Sequence, residues 1–269
     1  MENVKGIILK ALKIIKKDGL KILLFKIWNK IINEIKNLTN PLITMFYLML
    51  NKKNVLNYLK QFSSTNPEES FNFISNKFLK AFKPAQIKKE FVALLETFKE
   101  INPQVIMEIG TAKGGSLFSF CKLAKENGLI ISLDLLKGQF GGGYTYWRVL
   151  FYNAFVDKSK KLYLLRKNSH QQETLEEVKV ILNGALLDFL FIDGDHTYDG
   201  VKKDFEMYSP LVKKGGSIAL HDIAIHSPET GCFVHVFWKE LKKQYPNQCK
   251  EIIKNEKQGW AGIGVFIKM

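Results

Sequence analysis

The stretch Val105-Ile106-Met107-Glu108-Ile109-Gly110-Thr111-Ala112-Lys113-Gly114-Gly115-Ser116 constrains this chain more than any other. Val105 to Ile109 read as a short buried strand, Gly110, Gly114 and Gly115 allow close backbone approach or positive φ, and Ser116 is placed to cap a helix starting at Leu117. A strand that runs through a glycine loop into a helix puts a ligand at the strand's carboxyl end. Phosphate-binding loops offer bare amides and a helix N-terminus to an anion, so Glu108 just ahead of the glycines suits a pyrophosphate poorly. It suits a ligand that carries ammonium, sulfonium and ribose hydroxyl groups. The spacing Gly-x-x-x-Gly-Gly also misses the dinucleotide fingerprint, which needs glycine at the third place where Ala112 stands. Taken alone, the stretch leaves an ordinary βα turn open.

Beyond this strand, extended and helical patterns alternate. Strands are expected at Leu129–Leu133, Leu162–Leu165, Leu187–Ile192 and Ser217–Leu220, and two more within Glu251–Lys254 and Ala261–Ile267. Helices are expected at Tyr146–Phe155, Thr174–Leu182, Val201–Leu211 and Val234–Gln244. The alternation predicts a Rossmann-like, seven-stranded, mostly parallel α/β sheet with helices on both faces. Its ligands belong at the carboxyl ends of the strands.

Ahead of the sheet the chain has a different character. Residues 1–60 hold 12 lysines and 3 acidic residues, so a surplus of nine of the chain's +14 charge lies there. Apolar residues recur at helical spacing over Ile7–Ile15 and Leu20–Leu38, with lysines on the other faces and Asp18-Gly19 between the two runs. No apolar run is long enough for a signal-peptide core or a spanning helix. Residues 1–62 therefore read as a basic amphipathic helical extension, and residues 71–269 as the main domain. Ser63–Ser70 forms the boundary, with a helix start in Asn66-Pro67-Glu68. Such an extension can lie on an anionic membrane surface through residues 1–50, or pack on the main domain or on a second subunit as a homo-oligomer. Nucleic acid is the weakest partner, because the lysines lack interleaved arginines and aromatics. Cys121, Cys232 and Cys249 are widely spaced and form no CxxC pair, which fits a reducing cytoplasm, with peripheral attachment at the inner membrane face if the extension docks there.

The strand ends carry the candidate chemistry. Asp134 follows the second strand, 24 residues after Gly110, where a carboxylate can take both ribose hydroxyls, although a turn aspartate is the alternative. Asn168-Ser169-His170 after the third strand can reach a base edge or simply cap a turn. Asp193-Gly194-Asp195-His196 follows the fourth strand, and His221-Asp222 follows the fifth with His226 four residues on. Neighbouring strand ends would gather Asp193, Asp222, His196 and His221 into a site for Mg²⁺ or another divalent ion, or into a metal-free pocket with a histidine as base.

Together these residues resemble a class I S-adenosylmethionine-dependent methyltransferase. The resemblance rests on Glu108-x-Gly110-x-x-x-Gly114-Gly115-Ser116, Asp134, the block Phe189–Tyr198, the run Pro210–Gly216 and His221-Asp222, and covers about residues 85–269. Gln139–Tyr144 with Trp147-Arg148, and Phe237–Leu241, are similar to a subgroup of sugar and antibiotic-tailoring O-methyltransferases and to cephalosporin hydroxylase-like proteins. The resemblance implies S-adenosylmethionine as cofactor, with Glu108, Gly110, Gly114 and Ser116, and Thr111 and Gly115 of the same loop, on its methionine and ribose side. It places Asp134 on the ribose, and Ser169 and His170 on the adenine. It matches Asp193 and Asp222 to the metal-binding positions of cation-dependent members, with His221 beside them as the third candidate ligand for a divalent cation; without a metal, His196 or His221 would serve as general base. Two departures stand out: Ala112 replaces a common glycine, which requires a negative φ there, and His221 stands where cation-dependent relatives often carry a carboxylate. The expected reaction is O-methylation of a small molecule, a sugar or a glycan hydroxyl. The same fold leaves open an RNA methyltransferase or a non-catalytic, membrane-recruited binding module.

Overall fold

The computed structural model describes residues 41–136, 138, 140, 143–255 and 258–269. Among the described residues, four helices precede the sheet: α1 (Pro41–Leu50), α2 (Lys52–Gln61), α3 (Pro67–Asn76) and α4 (Lys88–Ile101). The alternating part then runs β1 (Val105–Ile109), α5 (Gly115–Leu123), β2 (Leu129–Leu133), α6 (Tyr146–Tyr152), β3 (Lys161–Leu165), α7 (Gln172–Leu182), β4 (Leu187–Ile192), α8 (Tyr198–Tyr208), β5 (Val212–His221), α9 (Val234–Gln244), β6 (Cys249–Ile252) and β7 (Ile263–Ile267). The strand order is β3-β2-β1-β4-β5-β7-β6. The first five strands are parallel, while β7 pairs antiparallel with both β5 and β6. Chain direction along the sheet reverses between β1 and β4, and the crevice outside their carboxyl ends is the switch point where such sheets bind ligands.

Alternation along each strand builds two apolar layers. Ile106, Phe189 and Phe191 face one layer with Phe98 and Phe120, and Met107, Ile109 and Leu190 face the other with Val178, Tyr208 and Phe237. Edge-to-face rings knit the first layer: Phe98 meets Phe189 at 4.9 Å between centroids, and Phe118 meets Phe155 at 5.2 Å.

Several boundaries differ from the sequence reading, each for a local reason. Strand β5 begins at Val212, because Lys213-Lys214-Gly215 continue it as an exposed stretch that carries no apolar signal. Helix α8 begins at Tyr198, with Thr197 Oγ1 accepting from the Gly200 N–H at 3.0 Å, and Ser209–Leu211 tightens into a 3₁₀ turn around Pro210. Helix α6 ends at Tyr152. Ser116 is not a cap: α5 starts at Gly115 behind Gly114 in a left-handed conformation (φ +81). The cap at Asn66 stands, its Oδ1 accepting from the Glu69 N–H at 3.0 Å.

The division drawn at residues 62 and 71 does not separate two cores among the described residues. Leu48 of α1 and Val55 and Leu59 of α2 are buried in the same cluster as Phe71, Ile74 and Phe118. The helical patterns over Ile7–Ile15 and Leu20–Leu38 lie outside the described residues.

Candidate active site

The carboxyl ends of β1, β2, β4 and β5 surround a cavity of about 430 Å³. Gly110, Asp134, Ser169, His170, Asp193, His196, His221 and Asp222 all line it, so these predicted residues share one cavity.

The glycine loop is the floor. Gly110 (φ +89) turns the chain out of β1, its N–H donating to Leu133 O at 2.9 Å, while the Asp193 N–H donates to Ile109 O at 2.8 Å. Ala112 also lies in the left-handed region (φ +45), contrary to the negative φ expected for a non-glycine there. Its conformation is held from both sides: its N–H donates to Asp134 Oδ2 at 2.6 Å, and its carbonyl accepts from the Tyr152 hydroxyl at 2.9 Å. Asp134 Oδ1 accepts from the Gly143 N–H at 3.0 Å, so this carboxylate clamps two loops while lining the cavity.

Five predicted cofactor residues build the loop from beneath and do not line the cavity. Glu108 is wholly buried and accepts from Thr111 Oγ1 at 2.8 Å, and Ser116 also bonds to it. Thr111 further shares a hydrogen bond with Ser132 Oγ at 2.7 Å. A side chain at Gly114 would enter the Tyr152 ring, and one at Gly115 would meet Phe82 O at 2.2 Å. Alternation explains the Glu108 result, since a side chain at the fourth position of β1 points into a layer of the core.

Burial pushes the Glu108 carboxyl up to about 8, against the lowering hydrogen bonds from Ser116 and Thr111. An acid raised in the fold above its unfolded value near 4.5 contributes fully below that value and loses the contribution as pH climbs through about 8. Glu108→Gln cannot ionise, so its stability relative to wild type should rise between pH 5 and pH 8 by up to a few kcal/mol and then level off. Thermal melts at pH 5, 7 and 9 measure this, and a pH-independent gap would mean that Glu108 is ionised in the fold.

Ser169 and His170 leave β3 at the other end of the cavity. Helix α8 holds this turn: the Tyr208 hydroxyl donates to Ser169 O at 2.8 Å, and His170 Nε2 lies 3.2 Å from Asp204 Oδ1. The Asp204 carboxylate raises the His170 pKa by hydrogen bonding, against partial burial. Asp204 sits in the middle of α8 and Tyr208 at its end, and neither carried a local signal.

The acid-histidine cluster occupies the β4 and β5 ends. His221 Nδ1 lies 3.0 Å from Asp193 Oδ1 and 3.3 Å from Asp222 Oδ2. His196 Nδ1 lies 3.0 Å from Asp222 Oδ2, and its Nε2 lies 3.5 Å from Asp193 Oδ1. On its far side, Asp222 Oδ1 is 3.2 Å from His226 Nε2 and accepts from the Ala261 N–H at 3.1 Å. Phe140 stacks on the His196 ring, 4.7 Å between centroids and 11° apart. Gln86 Nε2 donates to Asp193 Oδ2 at 2.5 Å from 107 positions away, a partner that no local pattern announces. Burial opposes charge on both histidines, but the two carboxylates prevail, raising His221 to about 10 and His196 to about 12. Asp193 and Asp222 are held below the usual carboxylate range by the same pairing, which outweighs their burial.

One donor atom each from Asp193, His221 and Asp222 falls within 4.8 Å of the others. Neighbouring ligands of an octahedral ion with bonds of about 2.1 Å lie about 3 Å apart, so the 3.0 and 3.3 Å separations fit a divalent cation. The imidazole nitrogen favours a transition ion over Mg²⁺.

Residues 107–223 match the family model of a methyltransferase domain. The chain is 28% identical over 201 residues to the probable caffeoyl-CoA O-methyltransferase 3 of Dictyostelium discoideum, covering 74% of this chain and 66% of that protein. It is 30% identical over 154 residues to the uncharacterized protein y4gI of Sinorhizobium fredii, covering 55% of this chain and 16% of that protein. The chain thus spans only a small part of the latter relative's length and just under two thirds of the former's. The solved O-methyltransferase TomG from Streptomyces achromogenes, in complex with SAM, shares the fold with a TM-score of 0.50 at 13% identity, over 77% of this chain and 92% of that one.

Proposed function

We propose that this chain, whose residues 107–223 match a methyltransferase domain, is a class I S-adenosylmethionine-dependent methyltransferase that methylates a hydroxyl oxygen of a small-molecule acceptor with His196 as general base. The observation that carries this reading is the continuity of the two half-sites. The Asp193 N–H is bonded to Ile109 O, one residue before Gly110, so the acid-histidine cluster begins where the glycine loop begins. Gly110–Ala112 would receive the sulfonium end of S-adenosylmethionine, Asp134 the ribose, and Ser169 and His170 the adenine.

The acceptor oxygen attacks the methyl carbon in line as the carbon–sulfur bond breaks, and its electrons go to sulfur, which becomes a neutral thioether. The hydroxyl proton passes to His196. Most of the work is alignment and proton removal. A divalent cation held by Asp193, His221 and Asp222 would lower the pKa of the acceptor hydroxyl. Phe140 and Trp260 at the cavity offer ring faces to a cyclic acceptor. We read it as a sugar or glycan hydroxyl, on the subgroup resemblance of Gln139–Tyr144 and Trp147-Arg148.

Calorimetry with S-adenosylhomocysteine, with and without Mn²⁺, tests the cofactor half. Wild type should bind, and Asp134→Ala should bind about 10- to 100-fold more weakly, the loss of a hydrogen bond to a charged group. Since Asp134 also clamps Ala112 and Gly143, a modest fall in melting temperature should accompany the loss. No binding by wild type would end the reading.

We further propose that the basic N-terminal part docks on an anionic membrane surface. Helix α1 buries Leu48 but leaves Phe46 and Leu50 61% and 84% exposed, next to Lys52 and Lys53 and the lysine surplus of residues 1–60. Among the described residues no helix is long and apolar enough to cross a membrane. The chain should co-sediment with phosphatidylglycerol-containing vesicles at low salt, and less so as salt rises. Absence of sedimentation at low salt would remove the proposal.

A further inference from the structure

We propose that His196, Asp222 and Cys232 form a second metal site, selective for a thiophilic divalent ion such as Zn²⁺, which overlaps the Asp193–His221–Asp222 set and takes the base out of action when filled. One donor atom from each of the three residues lies within 4.8 Å of the other two. The residues come from three parts of the fold: the loop after β4, the end of β5 and the turn before α9. That turn is tied to the histidine loop, because the Phe233 N–H donates to His196 O at 2.8 Å and the Cys232 N–H donates to Thr230 Oγ1 at 3.2 Å. The thiol, 3% exposed at the residue level, rests within hydrogen-bonding reach of the His196 ring. Phe140 closes the face of that ring at 4.7 Å. The donors are thus fixed by backbone bonds and packing.

The chemistry of the set decides the ion. One sulfur, one imidazole nitrogen and one carboxylate oxygen are the ligands of tetrahedral Zn²⁺, and three protein ligands leave a fourth position open. Mg²⁺ takes oxygen ligands and has no use for a thiolate. Binding expels to solvent both the thiol proton and the proton on the ligating His196 nitrogen, since thiolate and neutral imidazole are the ligands. Both sets draw on Asp222, whose Oδ2 faces His196 and His221 alike, so filling one set denies that carboxylate to the other. Metal binding itself stands apart from the methyl-transfer reading; only the inhibition rests on His196 being the base.

Co²⁺ serves as the probe, added to the full chain in a thiol-free reducing buffer. One equivalent should produce a sulfur-to-metal charge-transfer band with tetrahedral visible bands, and one equivalent of Zn²⁺ should erase both. Cys232→Ser should lose the charge-transfer band, and Asp193→Asn should keep it. With turnover, Zn²⁺ should inhibit wild type at concentrations at least about tenfold below those needed for Cys232→Ser. A wild type without the band overturns the proposal, as does a band that survives Cys232→Ser and so comes from Cys121 or Cys249. Should the serine variant fail to fold, alkylation of wild type read by mass spectrometry decides the matter. Zn²⁺, but not Mg²⁺, should protect Cys232, and equal labelling in both overturns the site. These readouts need no acceptor, so their failure is distinct from a failure to methylate.

Discussion

Replacing His196 by alanine should lower the rate of methyl transfer about 10²- to 10⁴-fold, the usual worth of a positioned general base, while S-adenosylhomocysteine affinity stays within a few fold. The imidazole lines the same cavity as Gly110, yet the clamp that shapes the cofactor side, Asp134 on Ala112 and Gly143, contains no part of it. The pH dependence supplies a second signature. Burial favours neutral His196, but hydrogen bonds that its ring donates to Asp193 and Asp222 raise its pKa to about 12. A base must be unprotonated, so in cation-free enzyme the rate should climb with pH to at least pH 10. A cation at Asp193, His221 and Asp222 would oppose the pull of the carboxylates and move the climb to lower pH. EDTA should therefore shift the profile upward in pH, and Mn²⁺ should restore it. In His196→Ala the rising limb should disappear. A variant within a few fold of wild type would shift the role to His221, whose Nε2 is buried without a hydrogen-bond partner among the described residues.

Much of this was legible in the sequence for one reason: a parallel sheet collects residues that follow separate strands. Asp134, Asp193 and His221-Asp222 stand directly after an apolar run, and Ser169 and His170 follow one within five residues, so finding the runs located residues of the cavity wall. Local patterns could not show what reaches that wall from elsewhere. Gln86 arrives from the loop before α4, Cys232 from the turn before α9 and Trp260 from the loop before β7. Position in a motif also misjudged depth. Glu108, Thr111 and Ser116 sit among cofactor-loop residues by spacing, but alternation along β1 turns the carboxylate inward and the other two close over it. The lysine pattern that suggested a separable extension likewise concealed Val55 and Leu59, two apolar positions of a short amphipathic helix that belong to the main core.

Gly110→Ala should be the most damaging single-methyl change in the site. The added carbon would lie 1.9 Å from Asp193 O and 2.4 Å from Asp193 C, and both are backbone atoms with no rotamer to yield. They cannot retreat, because β4 is held in register with β1, Ile192 opposite Ile109, and the Asp193 N–H is bonded to Ile109 O. The methyl would have to pry the two central strands apart at the switch point, separating the glycine loop from the acid-histidine cluster. Overpacking together with a left-handed alanine should cost roughly 2–5 kcal/mol of stability. Any folded fraction should lose cofactor affinity by more than about 100-fold, since a displacement near 1 Å at the loop removes its backbone contacts. Gly184→Ala separates the two causes. Gly184 has nearly the same backbone angle (φ +83), but among the described residues nothing lies within 4 Å of an added carbon, so it should cost only about 1–2 kcal/mol and leave cofactor binding untouched. Denaturant melts and calorimetry on both variants make the comparison. Equal losses would mean that only the left-handed backbone matters at Gly110. A far larger loss at Gly110 would mean that the carbonyl of Asp193 is the wall against which the cofactor loop is built.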